Sequence, residues 1–296
     1  MTNAPDILCI GSVLWDVIGR APVHMKLGAD VPGRITREPG GVAMNIAMTL
    51  MRFGMRPALL SAVGMDEQGH ELIGVCQRLG LITDHVYRSP DLPTDRYMAV
   101  EGANGLIAAI ADAHSLEAAG DKILHALSDG TLGADGAPYA GLIALDGNLT
   151  QLLLADIAQS PHFAAADLRI APASPGKAER LAPLLAHPRA TLYVNLEEAG
   201  LLCRAPFASS AAAAAGLLDR GATRVLVTDG GNSATDGAPD GLLTRQPPQV
   251  MVTRVTGAGD TFMAAHIAAE AAGQDREAAL ATALNAAAAH VCGETA

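Results

Sequence analysis

Residues 191–228 read TLYVNLEEAGLLCRAPFASSAAAAAGLLDRGATRVLVT. Thr191 to Val194 is a short apolar run of strand-forming residues, and Arg224 to Thr228 is another. Between them the spacing predicts a short helix over Glu197–Cys203 and a second over Ser209–Arg220. Two neighbouring strands joined through helices run parallel, because the chain must cross back over the face of the sheet before it can pair again. Apolar runs without polar alternation further predict that both faces of these strands are covered. This βαβ unit decides the fold class.

The same rhythm extends outward. Ile7 to Ile10 reads as a buried strand stopped by Gly11. Asn45 to Phe53 carries Ile46, Leu50 and Phe53 at helical spacing and is stopped by Gly54. Ala58–Val63 reads as a strand, Gln68–Leu79 as a helix ended by Gly80, Gly141–Leu145 as a strand and Leu149–Ala158 as a helix. Leu168–Ala171 is a further strand, followed by a helix over Lys177–Leu185 that Pro183 weakens in its second half. Asp260–Ala272 and Arg276–Val291 are long closing helices. The expectation is an α/β fold: a doubly wound, mostly parallel sheet with helices on both faces. Two regions, about 12–38 and 86–112, break the alternation. Val13–Ile18, Arg34–Arg37, Arg96–Glu101 and Leu106–Ile110 look like strands without intervening helices, which predicts a small β-sheet lid on one domain spanning 1–296. Gly130–Tyr139 and Asn232–Gly241 read as turn-rich loops.

Half of the 296 residues are hydrophobic, enough for a sizeable core. The formal net charge of −11 argues against a nucleic-acid polymer as partner, since phosphate backbones demand Lys and Arg. It leaves small phosphate-bearing ligands open, because backbone amides can hold them. Cys9, Cys76, Cys203 and Cys292 are scattered and form no CxxC pair, so they read as reduced thiols rather than zinc ligands. The first apolar run is too short for a signal peptide or a membrane span, which predicts a cytoplasmic protein with no membrane contact.

Five stretches can carry chemistry. Thr256-Gly257-Ala258-Gly259-Asp260 precedes a long helical pattern. Its glycines permit close backbone approach, its amides point outward at a helix start, and Asp260 can accept a proton there. The same residues also fit a plain N-cap by Asp260. The motif lacks the Lys of Walker A and the third glycine of the dinucleotide fingerprint. Pro39-Gly40-Gly41 with Asn45 suits a ligand bearing vicinal hydroxyls, or a loop with an Asn cap. Asp16, just beyond the first strand, can accept hydroxyl hydrogen bonds or be a solvated turn acid. Asn195 and Glu198 share a helical face. Glu198 can hold Mg²⁺ through water, or the pair can be a capping box. Val227-Thr228-Asp229-Gly230-Gly231 is a strand end and turn that can face a nucleotide or simply form a hairpin.

Taken in order, Gly40-Gly41 with Asn45, then Asn195-x-x-Glu198, then Gly257-Ala258-Gly259-Asp260 resemble the ribokinase-like, or phosphofructokinase B, carbohydrate kinases over nearly the whole chain. The resemblance implies ATP-dependent phosphoryl transfer to a sugar hydroxyl. Asp260 is then the base, and the Gly257, Ala258 and Gly259 amides are the anion hole. It implies acceptor contacts from Asp16, Gly40, Gly41 and Asn45, and ATP-side roles for Asn195, Glu198, Thr228, Gly230 and Asn285 on the last helix. Glu198 would serve Mg²⁺. Within the family the likeness is to pseudouridine kinases, through Leu59–Gly64, Ala109–Asp112 and Arg254–Asp260, which brings in Asp112 and Asn148 as further acceptor contacts. Ribose, adenosine and 2-keto-3-deoxygluconate remain alternative acceptors, and a silent ligand-binding relative is a different class. Arg254 stands where many relatives have an Asp that helps hold a monovalent cation, so dependence on such a cation is open. Aromatics make up 3% of the chain, leaving little for base stacking, with Tyr97 one candidate. The exposed edges of the lid suggest a homodimer.

Overall fold

The computed structural model describes residues 4–293. In chain order the strands are β1 (Ile7–Ile10), β2 (Leu14–Arg20), β3 (Arg34–Gly40), β4 (Pro57–Leu60), β5 (Ala62–Gly64), β6 (Tyr87–Ser89), β7 (Arg96–Gly102), β8 (Gly105–Asp112), β9 (Leu142–Asp146), β10 (Asp167–Ala171), β11 (Ala190–Asn195), β12 (Arg224–Thr228), β13 (Ala234–Ala238) and β14 (Gly241–Arg245). The α-helices are α1 (Val42–Arg52), α2 (Glu67–Arg78), α3 (His114–Ala119), α4 (Gln151–Gln159), α5 (Leu196–Cys203), α6 (Ser210–Asp219), α7 (Ala258–Ala271) and α8 (Arg276–Cys292).

Eight strands form the central sheet in the order β14-β13-β12-β11-β10-β9-β1-β4. From β12 through β4 every pair is parallel, whereas β12–β13 and β13–β14 are antiparallel. The apolar runs are buried on both faces, as the lack of alternation implied. Leu8, Ile10, Ile143, Leu145, Ile170 and Val194 pack in one core, on the side of α4, α5 and α6. Ile7, Cys9, Leu59, Ala144, Tyr193 and Leu226 pack in the other, on the side of α1, α2, α7 and α8. Cys9, Cys76 and Cys203 are buried free thiols. Among the described residues no helix is long and apolar enough to cross a membrane.

The four strands without intervening helices form a separate sheet, β3-β2-β7-β8, held by β2–β3 and β7–β8 antiparallel pairs and a parallel β2–β7 pair. Several local expectations need correction. The strand read over Ala58–Val63 breaks at Ser61, with β4 joining the main sheet and β5 pairing with β6. Lys177–Leu185 lies in a 3-10 helix, Pro175–Leu184, with Pro175 in its first turn and Pro183 inside it. Pro183, inside the segment, removes an i→i−4 donor and crowds the preceding turn, whereas Pro175 suits a helix start. The loop read over Asn232–Gly241 contains β13. Its Gly, Pro and Asp look like turn chemistry, but Asp236 is fully buried between Arg224 and Arg276, and that ion pairing holds the segment in the sheet. Helix α1 begins three residues before Asn45, because Ser12 caps it from the far side of the chain: its Oγ accepts from the Val42 amide at 2.9 Å.

Candidate active site

The carboxyl ends of the parallel strands open on one cavity of about 780 Å³, where ligands bind in open α/β sheets. Ser12 follows β1, Asn148 follows β9, Asn195 ends β11 and Thr228 ends β12, and all four line it. The small sheet covers the opposite side. Its cross-strand register puts Asp16, Tyr97 and Ala111 side by side, and all three face the cavity. The period of two sends the neighbouring row outward, where Met98 and Ile110 are exposed.

Helix α7 enters with its N-terminus at this cavity. Gly257 is the N-cap, at φ 83°, and Asp260 lies within the first turn. The alternative in which Asp260 caps the helix is therefore excluded. Its carboxylate instead meets α1: Asn45 Nδ2 donates to Asp260 Oδ2 at 2.9 Å. Asp260 keeps partial access through the cavity, yet burial pushes its carboxyl up to about 7. The Asn45 donor pulls against that rise, while the charges of Asp146, Asp16 and Glu198 add to it. A carboxylate titrating near neutrality and aimed into a cavity can take a proton from a bound hydroxyl. The first amides of a helix have no intrahelical acceptor. Here Ala258 N–H is already taken up by the Val255 carbonyl at 3.1 Å, while Gly257 and Gly259 line the cavity.

On the acceptor side, Ser12 Oγ donates to Asp146 Oδ2 at 2.6 Å and receives Asn148 Nδ2 at 2.9 Å. Lys177 Nζ donates to Asn148 Oδ1 at 2.6 Å. Asp16, on the cavity face of the small sheet, has its carboxyl pushed up to about 6 by burial and then by Glu38, its cross-strand neighbour. Gly40 leaves room for the Asp16 side chain across the β2–β3 pair, and Gly41 lets the start of α1 approach Ser12. A Cβ on Gly40 would stand 2.1 Å from Asp16 Oδ2, and one on Gly41, at φ 95°, would stand 2.4 Å from the Ser12 carbonyl oxygen.

Asn195 and Glu198 form the capping box: Asn195 Oδ1 accepts from Glu198 N at 2.9 Å and Glu198 Oε2 from Asn195 N at 2.8 Å. Both also line the cavity. Burial raises the Glu198 carboxyl to about 7. Thr228, Asp229 and Gly230 line the same end. No group of three metal-ligating side chains occurs among the described residues. A single cavity-lining carboxylate such as Glu198 suits a hard cation only through bridging waters.

Three expected residues stand outside the cavity lining, and the first of them, Gly40, is buried in β3 against the Asp16 side chain. The Asp112 carboxylate pairs with His114 at 2.8 Å outside the cavity lining, and Asn285 is an exposed residue of α8, also outside it. The cavity adds residues the motifs did not single out. Lys177 lies just past the carboxyl end of β10, in Ser174-Pro175-Gly176-Lys177, so the position of that loop is the signal that could have found it. Tyr193 and Phe262 contribute apolar wall.

Comparison with known proteins gives the family and the fold. A family model described as pfkB family carbohydrate kinase matches residues 4–296. The pseudouridine kinase of Escherichia coli (strain K12) is 29% identical over 271 residues, covering 89% of this chain and 83% of that protein. An uncharacterized sugar kinase of the same organism is 29% identical over 151 residues, a match spanning 51% of this chain and 40% of that protein. The structure of Arabidopsis thaliana ribokinase complexed with ribose and ATP superposes with a TM-score of 0.78 over 99% of this chain and 94% of that one, at 21% identity, and so shares the fold. With the family model covering almost its entire length, the chain belongs to the pfkB family of carbohydrate kinases and has the ribokinase-like fold.

Proposed function

We propose that this protein transfers the γ-phosphoryl group of ATP to a sugar-type hydroxyl, with Asp260 as the general base. The observation that carries the reading is the Asn45–Asp260 contact: a carboxylate with its pKa near 7, oriented by a second helix, at the amide-rich start of α7. In the reaction Asp260 takes the acceptor hydroxyl proton, the new O–P bond forms, and the bond from the γ-phosphorus to the oxygen it shares with the β-phosphate breaks in line to release ADP. The amides of Gly257 and Gly259 face the charge on the transferring group, and Ala258 joins them only if its turn with Val255 opens. Asp16, Gly41, Asn45 and Asn148 hold the acceptor. Asn195, Thr228 and Gly230 face the nucleotide, and Glu198 would hold Mg²⁺ through water, which when bound supplies charge neutralisation on the phosphates.

Pseudouridine, through its 5′-hydroxyl, is the favoured acceptor, supported by the likeness to the E. coli enzyme of that name. Ribose is second, supported by the ribose-bound structure of the same fold. An ATP-consumption screen over pseudouridine, uridine, ribose, adenosine and 2-keto-3-deoxygluconate tests both. Turnover confined to a non-nucleoside sugar rejects pseudouridine and leaves the chemistry standing. No ATP-dependent turnover with any of them rejects the reading. We further infer that the whole chain is one kinase domain whose small sheet closes over the acceptor. A second copy would cover its outer face, where Ile35, Met98 and Ile110 are exposed. A monomer by sedimentation at micromolar concentration rejects the dimer.

A further inference from the structure

The segment Met251–Thr256 leading into α7 has neither helix nor strand, so it is held from outside. It is tied to the last turn of α8. Thr253 N and Arg254 N donate to the Val291 carbonyl at 2.8 and 3.2 Å, and Arg254 Nε donates to the His290 carbonyl at 2.9 Å. A guanidinium at the end of a helix meets the carbonyls left without partners there and the negative end of the dipole.

His290 makes the decisive contact. Its Nε2 lies 2.8 Å from the Thr256 carbonyl oxygen. A carbonyl only accepts, so Nε2 carries the hydrogen. In the neutral ring Nδ1 is then an acceptor, and it has two donors beside it: Arg254 Nη2 at 3.3 Å and Thr261 Oγ1 at 3.2 Å. A cationic ring would turn a second N–H toward the guanidinium. The lowered pKa of His290, caused by burial first and then by Arg254 and Arg52, agrees with the neutral form. The network thus assigns one tautomer and uses both ring nitrogens.

We propose that His290 is a positioning residue for phosphoryl transfer, which aims the Gly257 amide into the cavity by holding the Thr256 carbonyl. The reason is peptide planarity. In a trans peptide the C=O and the following N–H point in opposite directions, so a carbonyl drawn toward α8 turns the Gly257 N–H toward the cavity. Gly257 lines that cavity, and the imidazole Nε2 stands 3.2 Å from where its Cβ would be, bracing the turn from behind. Thr261, one residue after Asp260, joins the same ring, so His290 holds both sides of the helix start.

The inference rests on the kinase reading for its effect on rate, but the clamp itself can be measured without activity. In His290→Ala, deuterium exchange of the amides from Gly257 to Thr261 should accelerate by about tenfold or more, as local opening loses its restraint. Turnover should fall about 10–100-fold from a misaimed donor, while KM for ATP and for acceptor moves less than roughly threefold. His290→Gln keeps an N–H that can reach the Thr256 carbonyl and should restore exchange and turnover to within roughly threefold of the parent. Unchanged exchange in His290→Ala overturns the clamp. So does His290→Gln behaving no better than His290→Ala. If the parent protein shows no ATP-dependent turnover, the kinase reading fails, and the exchange comparison still decides whether His290 holds the turn.

Discussion

Asp260 sits in a conflict that defines its chemistry. Burial drives its carboxyl toward the protonated form, and the Asn45 amide favours the charged one. With the pKa near 7, turnover should fall as pH drops below neutrality, because the base becomes protonated. Asn45→Ala removes the donor that stabilises the carboxylate, so the acid limb of the pH–rate profile should move to higher pH. A limb that stays put or moves down contradicts the contact. Asp260→Asn should reduce turnover by about 10²–10⁴-fold with ATP and acceptor binding largely intact. The sign of its stability effect also follows. The folded pKa lies above that of the unfolded chain, so stability from the protonated group is full at low pH and lost as pH rises through about 7. Asp260→Asn should therefore melt higher than the parent at pH 8, and the gap should close toward pH 4. Equal melting temperatures at pH 8 would show that the buried carboxylate carries no cost.

Helix starts are where sequence and structure part most clearly. The first turn of α1 is capped by Ser12, and the helix is entered through Gly41 in the left-handed region. Gly41→Ala meets both a backbone penalty and the Ser12 carbonyl, so it should destabilise the protein by about 1–3 kcal/mol, read from the denaturant midpoint. Helix α5 is capped locally by Asn195 and Glu198, as the spacing of those residues allowed. Asn195→Ala should cost about 1 kcal/mol. If Asn195 also faces the nucleotide, KM for ATP should rise in the same variant. A stability loss with KM unchanged would leave Asn195 as a cap alone.

Across the whole molecule, one chain of charges binds the antiparallel edge of the sheet to α7. Glu270 of α7 pairs with Arg169 of β10 and Arg224 of β12. Arg224 and Arg276 in turn pair with Asp236 of β13. Arg169 Nη1 also reaches the Tyr193 hydroxyl, which contacts His266 on α7 at 2.9 Å. These carboxylates are held below their ordinary pKa by the arginines despite burial. Removing Glu270 leaves Arg169 with Asp167 and Arg224 with Asp236 as their remaining carboxylate partners. Glu270→Ala should lower stability by about 1–3 kcal/mol while turnover per folded molecule is retained, since Glu270, Arg169 and Arg224 lie outside the cavity lining. A loss of turnover without a loss of stability would place Glu270 in the reaction instead.

The parallel sheet, the two closing helices and the extra strands of the small sheet were legible in the sequence because each rests on a local signal. Those signals are apolar runs of strand length, helical spacing, and strands without helices between them. The local signals also singled out Asp260, Asn45 and Asp16, which line one cavity. Contacts between distant segments decided the rest. Ser12 moved the start of α1, and Arg224 with Arg276 turned an apparent loop into β13. Lys177 came into the cavity, while Asp112 and Asn285 fell outside its lining. For Gly257-Ala258-Gly259-Asp260, the sequence by itself determined that a helix would begin there with an acid in its first turn. Only the tertiary structure decided that Asp260 reaches Asn45 rather than capping its own helix, because the partner that orients it lies on a helix more than two hundred residues away in the chain.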